Sequence, residues 1–189
     1  MALYTARGDD GTTTTFGCDQ RMSKSSAIAE ALGVLDEANS YLGSCKVQAV
    51  LDDFNIADTD DNKQKVAKIV HEVQDDLFII QAELAGAEKT MSQQKVKWLE
   101  EIIAEIERQL PEIHTFFISG GSELAARFDF ARTVVRRAER RVVGVHDEGV
   151  IKIGKYTLAY LNRLSSLLYA LARYANYSRD IREDSPDYK

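Results

Sequence analysis

Proline and glycine are scarce, at 2 and 11 among 189 residues. Many-stranded sandwiches and barrels need turn residues at much shorter intervals, so this shortage argues for long helices. Cysteine is as scarce as proline. Cys18 and Cys45 lie too far apart for a CxxC motif. That spacing excludes a disulfide-stapled secreted scaffold and leaves two free thiols suited to a reducing cytoplasm. No apolar run approaches the length of a membrane span, Leu77 to Ile80 being typical of the longest. The opening MALYTARGDDG lacks an apolar signal region and reads as a functional loop rather than a presequence. None of the histidines at 71, 114 and 146 has Glu three residues earlier, because Lys68, Pro111 and Val143 stand there. The Glu-x-x-His signature of carboxylate di-iron bundles is therefore missing. HExxH, GxSxG and GxxxxGK[ST] are missing too, which removes zincin, serine-hydrolase and ordinary P-loop readings. Scattered His and Cys give no zinc site. A formal charge of −6 argues against a general nucleic-acid binder, so local basic clusters become informative.

What the sequence does contain is helical periodicity. Ala27, Ala31, Val34, Leu35, Ala38 and Leu42 recur at spacings of three and four, predicting a helix over 24–50. Val66, Ile69, Val70, Val73, Leu77, Ile80 and Leu84 do the same over 63–89. A third helix is expected over 92–109, with Ser92 as N-cap and Pro111 beyond its end. A fourth is expected over 122–145 and a fifth over 153–177. With no consequential strand pattern, the expectation is an all-α, five-helix up-and-down bundle in one domain over 1–189. Residues 1–23 form a leading loop, 24–177 the bundle and 178–189 a loose tail. The acidic stretch 51–62 carries five Asp but cannot be an EF-hand. Counted from Asp58, loop position six is Lys63 rather than Gly and position twelve is Ile69 rather than Glu.

Three segments point to chemistry. In the first, Thr5-Ala6-Arg7-Gly8-Asp9-Asp10-Gly11 followed by Thr12 to Thr15, glycines permit successive N–H groups to face one concavity and hold an anion. Threonine hydroxyls add donors, and Lys24 closes the segment with a positive charge. Asp9 and Asp10 fit beside a phosphate only if one orients the loop or helps hold a cation. A frayed terminus is the plain alternative. The second segment, 132–141, carries five arginines in ten positions. At roughly 100° per residue, Ala131, Val134, Val135, Ala138 and Val142 share one side, and Arg132, Arg136, Glu139 and Arg140 share another. Arginine forks suit phosphate oxygens, while a solvated face paired with neighbouring carboxylates is the alternative. In the third, Leu161, Leu164, Leu168 and Ala172 form an apolar face beside a polar stripe of Asn162, Ser166, Tyr169 and Arg173. Such a stripe is also what plain surface looks like. Between the first two of these segments, Phe116 and Phe117 precede Ser119-Gly120-Gly121-Ser122. They fit a core, or the apolar wall of a pocket for a planar ligand.

Taken in order, these segments resemble the PduO-type ATP:cob(I)alamin adenosyltransferases. The resemblance rests on Tyr4-Thr5, Gly8-Asp9-Asp10-Gly11-Thr12 and Lys24, then on Leu32-Gly33-Val34-Leu35-Asp36-Glu37-Ala38-Asn39-Ser40. It continues through Ser119-Gly120-Gly121-Ser122, Ala131-Arg132-Thr133, Arg136-Arg137-Ala138-Glu139-Arg140 and Tyr160-Leu161-Asn162-Arg163-Leu164-Ser165. It implies a ferritin-like five-helix bundle of the cobalamin adenosyltransferase type, assembled as a homotrimer with ATP and corrinoid at each subunit junction. The implied reaction moves the 5′-deoxyadenosyl group of ATP to the cobalt of cob(I)alamin and releases triphosphate, with magnesium accompanying ATP. By position, Thr5, Arg7, Gly8, Asp9, Thr13, Thr14, Lys24, Arg136, Arg137, Glu139, Arg140 and Asn162 are implied in ATP binding. Arg136, Glu139 and Asn162 are the implied catalytic residues. Phe116 and Tyr169 are placed at the corrin, and Asp36 with Arg132 at an intersubunit ion pair. No metal is implied on protein ligands alone. Four departures stand out: Ser119 in place of the usual Pro, Ser166 in place of Asp, Tyr169 in place of Phe, and Ala6-Arg7 in the nucleotide loop.

The missing catalytic Ser, Cys or His agrees with this resemblance, because cobalt(I) is itself the nucleophile. A cytoplasmic enzyme is expected, with neither nucleic acid nor membrane as partner. A flavoprotein reductase and an adenosylcobalamin-dependent acceptor enzyme are the implied protein partners. An adenine-nucleotide-binding module or cobalamin chaperone with little transfer is the alternative, and a purely structural helical oligomer is a third.

Overall fold

The computed structural model describes residues 4–15, 20–56, 64–149 and 151–188. Cys18 and the second half of the acidic stretch, 57–62, lie outside these residues. Five helices account for the architecture: α1 Ala27–Leu51, α2 Val66–Leu84, α3 Gln93–Glu107, α4 Glu123–Asp147 and α5 Lys155–Tyr177. Serine hydroxyls start three of them. Ser26 accepts from the Ala29 amide (3.3 Å), Ser92 from Lys95 (3.4 Å) and Ser122 from Ala125 (3.2 Å). The Ser26 cap explains why α1 begins at Ala27 rather than at Lys24. α2 is shorter than periodicity predicts. It ends before Gly86, whose φ of 88° leaves the helical region, and it begins only after Lys65 has paired with Asn55. Two antiparallel ladders unseen in the sequence flank α1: β1 Thr12–Thr13 with β2 Met22–Ser23, and β3 Asn55–Ile56 with β4 Gln64–Lys65. At two residues per strand they are too short to leave a period-two signature.

Side-chain pairings fix the helix directions. Between α1 and α4 they run Ser44–Arg127, Glu37–Arg137 and Glu30–Arg141, so one number falls as the other rises and the helices are antiparallel. Between α4 and α5 they run Ser122–Asn176, Arg132–Tyr169 and Glu139–Asn162, again antiparallel. Gln93–Tyr156 and Glu100–Arg163 keep step, so α3 and α5 are parallel. α4 packs against both α1 and α5, α2 against α1 and α3 against α5, while Asp76 and Glu83 of α2 reach Lys95 of α3 and Thr157 of α5, so the topology is the expected up-and-down bundle. The apolar stripes face inward throughout. Leu35, Leu77, Phe128, Val135 and Leu164 are wholly buried, and cutting one such leucine to alanine costs about 2–5 kcal/mol.

The residues after α5 correct the expectation of a loose tail. Asp184 accepts from the Ile118 amide (2.8 Å), and Glu183 pairs with the buried Arg173 (2.9 Å). A main-chain bond to the Asp184 carbonyl and a charge pair leave no mark in apolar periodicity.

Candidate functional site

The described part of the leading loop, 5–12 with 21–24, is held by hydrogen bonds rather than frayed. Ala6 takes a φ of 56°, and the Asp9 and Gly11 amides donate back to Ala6 (3.3 Å) and Gly8 (3.2 Å), closing two successive turns. Asp10 accepts from the Thr12 hydroxyl (2.6 Å) and the Thr12 amide (2.9 Å), which holds its carboxyl down at about 2. Arg21 supports the same corner, donating to Thr12 Oγ1 (2.6 Å), Asp10 (3.1 Å) and the Arg7 carbonyl. Of the two roles open to an aspartate here, Asp10 fills the orienting one. Lys24 Nζ donates to the Gly8 carbonyl (2.8 Å), and a methyl group on Gly8 would lie 2.9 Å from that nitrogen. A side chain at 8 would push the Lys24 ammonium aside from this position. The Thr5, Arg7, Asp9 and Thr14 side chains are exposed around the corner and Thr13 is half-buried. Arg21 escaped the sequence reading, since nothing in its spacing marks a guanidinium that reaches back to residues 7–12.

On α4 the five arginines divide. Arg137 pairs with Glu37 and Arg141 lies 3.6 Å from Glu30, so these two tie α4 to α1. Arg136 and Arg140 are exposed along the outer face, with Arg140 donating to the Arg136 carbonyl (3.0 Å). Glu139 beside them accepts from Asn162 Nδ2 (3.2 Å), and Asn162 Oδ1 accepts from Arg163 (2.7 Å), which also holds Glu100 (2.9 Å). The structure thus joins Arg136, Glu139, Arg140 and Asn162 into one polar surface across α4 and α5. It keeps Arg137 turned toward α1.

Arg136 also reaches the rim of a cavity of about 900 Å³, which opens between the segment 113–119, the end of α3, and α4 and α5. Phe116, 78% exposed, lines it together with Ser119, Arg132, Ser166 and Tyr169. Phe116 is therefore not a core residue of this chain but lines the cavity. Phe117 is half-buried over the Arg173 guanidinium, 4.5 Å from it. Burial pushes the Tyr169 phenol up, and Arg132 lies over its ring at 5.9 Å. Within the chain Arg132 Nε approaches Asp129 (3.6 Å), whose carboxyl burial pushes up although the Gly120 amide (3.2 Å) and Arg132 draw it down. Asp36 is exposed on α1, apart from Arg132. A second cavity, about 670 Å³ between α1 and α2, is lined by Val47, Val50 and Leu51 and holds none of the candidate residues.

Asn176 organises the Gly-Gly corner below the cavity. It accepts from the Ser122 amide (2.8 Å) and donates to the Gly120 carbonyl (2.8 Å). Gly121 has a φ of 97°, and a Cβ there would stand 2.5 Å from Asn176 Oδ1. Asn176 and Asp129 were not singled out in the sequence. Their partners lie 54 and 9 residues away, and no local pattern links them. Among the described residues, no three His, Cys, Asp or Glu side chains are grouped to hold a metal ion. No helix there is long and apolar enough to cross a membrane.

Comparison with known proteins agrees with this geometry. The family model for cobalamin adenosyltransferase matches residues 3–175. The corrinoid adenosyltransferase PduO of Salmonella typhimurium is 36% identical over 199 residues, covering 100% of this chain and 55% of the relative. The corrinoid adenosyltransferase of Bacillus subtilis is 35% identical over 179 residues, covering 93% of the chain and 87% of the relative. The chain therefore spans about half the length of the Salmonella relative and most of the Bacillus one. A variant of a PduO-type ATP:corrinoid adenosyltransferase from Lactobacillus reuteri, solved with cobalamin and ATP, superimposes with a TM-score of 0.84 at 30% identity, covering 99% of this chain and 97% of that one. Loop, bundle and cavity all fall inside these matches, and the chain belongs to the cobalamin adenosyltransferase family.

Proposed function

We propose that this chain transfers the 5′-deoxyadenosyl group of ATP to the cobalt of cob(I)alamin. The cobalt(I) electron pair forms the bond to C5′, the C5′–O bond breaks, and triphosphate leaves with that bonding pair. The observation that carries the reading is the position of Arg136. It stands both on the polar surface with Glu139, Arg140 and Asn162 and on the rim of the aromatic-walled cavity. A cation there meets the phosphates of a nucleotide whose C5′ faces the cavity, and it stabilises negative charge as triphosphate departs. Asn162, held by Glu139 on one side and Arg163 on the other, presents a fixed amide to orient the nucleoside. Thr5, Arg7, Gly8, Asp9, Thr13, Thr14 and Lys24 supply the phosphate cradle, with Arg137 and Arg140 flanking it. Phe116 and Tyr169 give the cavity an apolar wall that keeps water and axial ligands from the corrinoid. Magnesium comes with ATP, held chiefly by phosphate oxygens.

A homotrimer completes this arrangement. Two observations favour it. The hydrogen bonds of the leading loop stay, among the described residues, within 5–26, so the loop extends no hydrogen bond to α4 of its own chain. Phe78 and Phe130 are 59% and 52% exposed, as apolar groups at an interface are before assembly. A neighbouring subunit would bring the loop to the arginine surface and Asp36 to Arg132. The reaction needs a supply of cobalt(I), hence an upstream reductase such as a flavoprotein, and its product suits an adenosylcobalamin-dependent acceptor. The buried free thiol of Cys45 suits a reducing cytoplasm.

The polar side chains of Ser119, Ser166 and Tyr169 in the cavity favour one other reading, a nucleotide-binding module or chaperone that holds cobalamin without transfer. An anaerobic assay with reduced cobalamin and Mg-ATP separates the two. Formation of the light-sensitive cobalt–carbon bond is expected. An ATP-dependent spectral change without that bond identifies the chaperone. Arg136→Ala is expected to lose about 3 kcal/mol of transition-state stabilisation, roughly a hundredfold in rate, with an unchanged helical circular dichroism spectrum. Near-normal turnover in that variant removes Arg136 from the mechanism.

A further inference from the structure

The aromatic wall of the cavity belongs to no helix or strand. Residues 111–121 cross from α3 to α4 without regular secondary structure, so something else must set where Phe116 and Phe117 stand. Four ties converge on this segment. Two come from within the bundle: the Gly120 amide to Asp129 (3.2 Å), and the Gly120 carbonyl from Asn176 (2.8 Å). The other two come from the residues after α5. Asp184 accepts from the Ile118 amide (2.8 Å). Glu183 holds Arg173 (2.9 Å), whose guanidinium lies beneath the Phe117 ring at 4.5 Å, and its other oxygen accepts from Asn176 (3.3 Å). Arg173 is 4% exposed, and its Nη1 has no hydrogen-bond partner among the described residues, so Glu183 supplies the main charge-assisted anchor that fixes this cation. Tyr188, a few residues on, lines the same cavity.

We propose that the segment after α5 is a strap that positions the aromatic wall of the corrinoid cavity, with Glu183 as its positioning residue. Glu183 does not line the cavity. It acts through Arg173 and Asn176 on Phe117 and Gly120. The role assigned to the cavity rests on the functional reading above, whereas the strap itself does not.

Two measurements on the full chain separate those layers. In the substrate-free protein, Glu183→Ala should raise amide hydrogen exchange across 116–121 by about tenfold or more while α1 exchange stays unchanged. Unchanged exchange in 116–121 overturns the proposal whatever the enzyme does. In the anaerobic assay, the same variant should raise the KM for cob(I)alamin by between tenfold and a hundredfold, on the order expected from misplacement of a binding wall, and leave the KM for ATP within about twofold. Glu183→Gln, whose single amide oxygen can keep only one of the two acceptor contacts and carries no charge, should fall between wild type and Glu183→Ala. Equal rises in both KM values with faster exchange in α1 assign Glu183 to general stability and also overturn the proposal. If wild type forms no adenosylcobalamin, the functional reading fails, and the exchange measurement still decides the strap.

Discussion

Asp10 sits in water, yet its carboxyl stays ionised down to a pKa of about 2, because the Thr12 hydroxyl and amide bond its charged form and Arg21 adds to them. A carboxyl with a depressed folded pKa contributes its hold above its ordinary value, 3.8, and loses it as pH falls through the folded value. The Thr12 amide resonance should therefore stay in place from neutral pH to about 4 and move only toward pH 2. An amide that shifts near pH 5 would show that the corner is not held this way. Cys45 illustrates the opposite direction. It is wholly buried, and burial pushes its thiol up to about 12. Almost no thiolate forms at pH 8, and the thiolate is the reactive species. Peptide mapping after treatment with an alkylating reagent should find Cys45 unmodified in the native protein and modified in denaturant. Modification under native conditions would mean that α1 opens locally.

At the scale of elements, α2, α3 and α5 meet at one buried carboxylate. Asp76 has no exposure, forms an ion pair with Lys95 of α3 and faces the Tyr160 hydroxyl of α5. Burial pushes its carboxyl up in spite of Lys95, and pushes the Tyr160 phenol well up. A folded pKa above the unfolded one means that the folded state binds the extra proton, so this group's contribution declines as pH rises from about 4 through the folded value. Lys95→Met strands the charge and should cost about 3 kcal/mol at pH 7 in denaturant unfolding. Part of that loss should return as pH is lowered toward 5, and adding Asp76→Asn should restore much of it at pH 7. A stability deficit in Lys95→Met that is flat with pH would dismiss the stranded carboxylate as its cause. The helices themselves were largely legible, because caps such as Ser92 and Ser122 and three-and-four apolar spacing are written locally. Their ends were less so. α2 stops at Leu84 rather than continuing to residue 89 because Gly86 leaves the helical region, it begins only after the ladder at Lys65, and α1 waits for the Ser26 cap. The ladders at 12–13 and 55–56 were invisible for want of length.

For the molecule as a whole, the proposed function needs a neighbouring subunit to bring the leading loop to the α4–α5 surface. Arg136, Arg140, Glu139 and Asn162 lie on the α4–α5 surface, while the loop around Asp10 is bonded within residues 5–26. Native mass measurement at working concentration should give three copies of the chain. A stable monomer that still turns over at a normal rate would place the complete site within one subunit.

The sequence by itself determined the five helices, the faces they bury and the existence of an arginine-rich outer face on α4. Each of these depends on the identity of residues three or four positions apart, a distance that the backbone's own geometry encodes. Only the tertiary structure showed how the arginines of α4 divide between neighbours. Glu37 and Glu30 draw Arg137 and Arg141 toward α1, leaving Arg136 and Arg140 free of those pairs. It alone showed that Phe116 is a wall and not core, that Arg21 supports the loop and that Glu183 secures the residues after α5. Those outcomes turn on charge pairs and hydrogen bonds between positions up to 100 residues apart, and such partners come within reach only after the helices have packed.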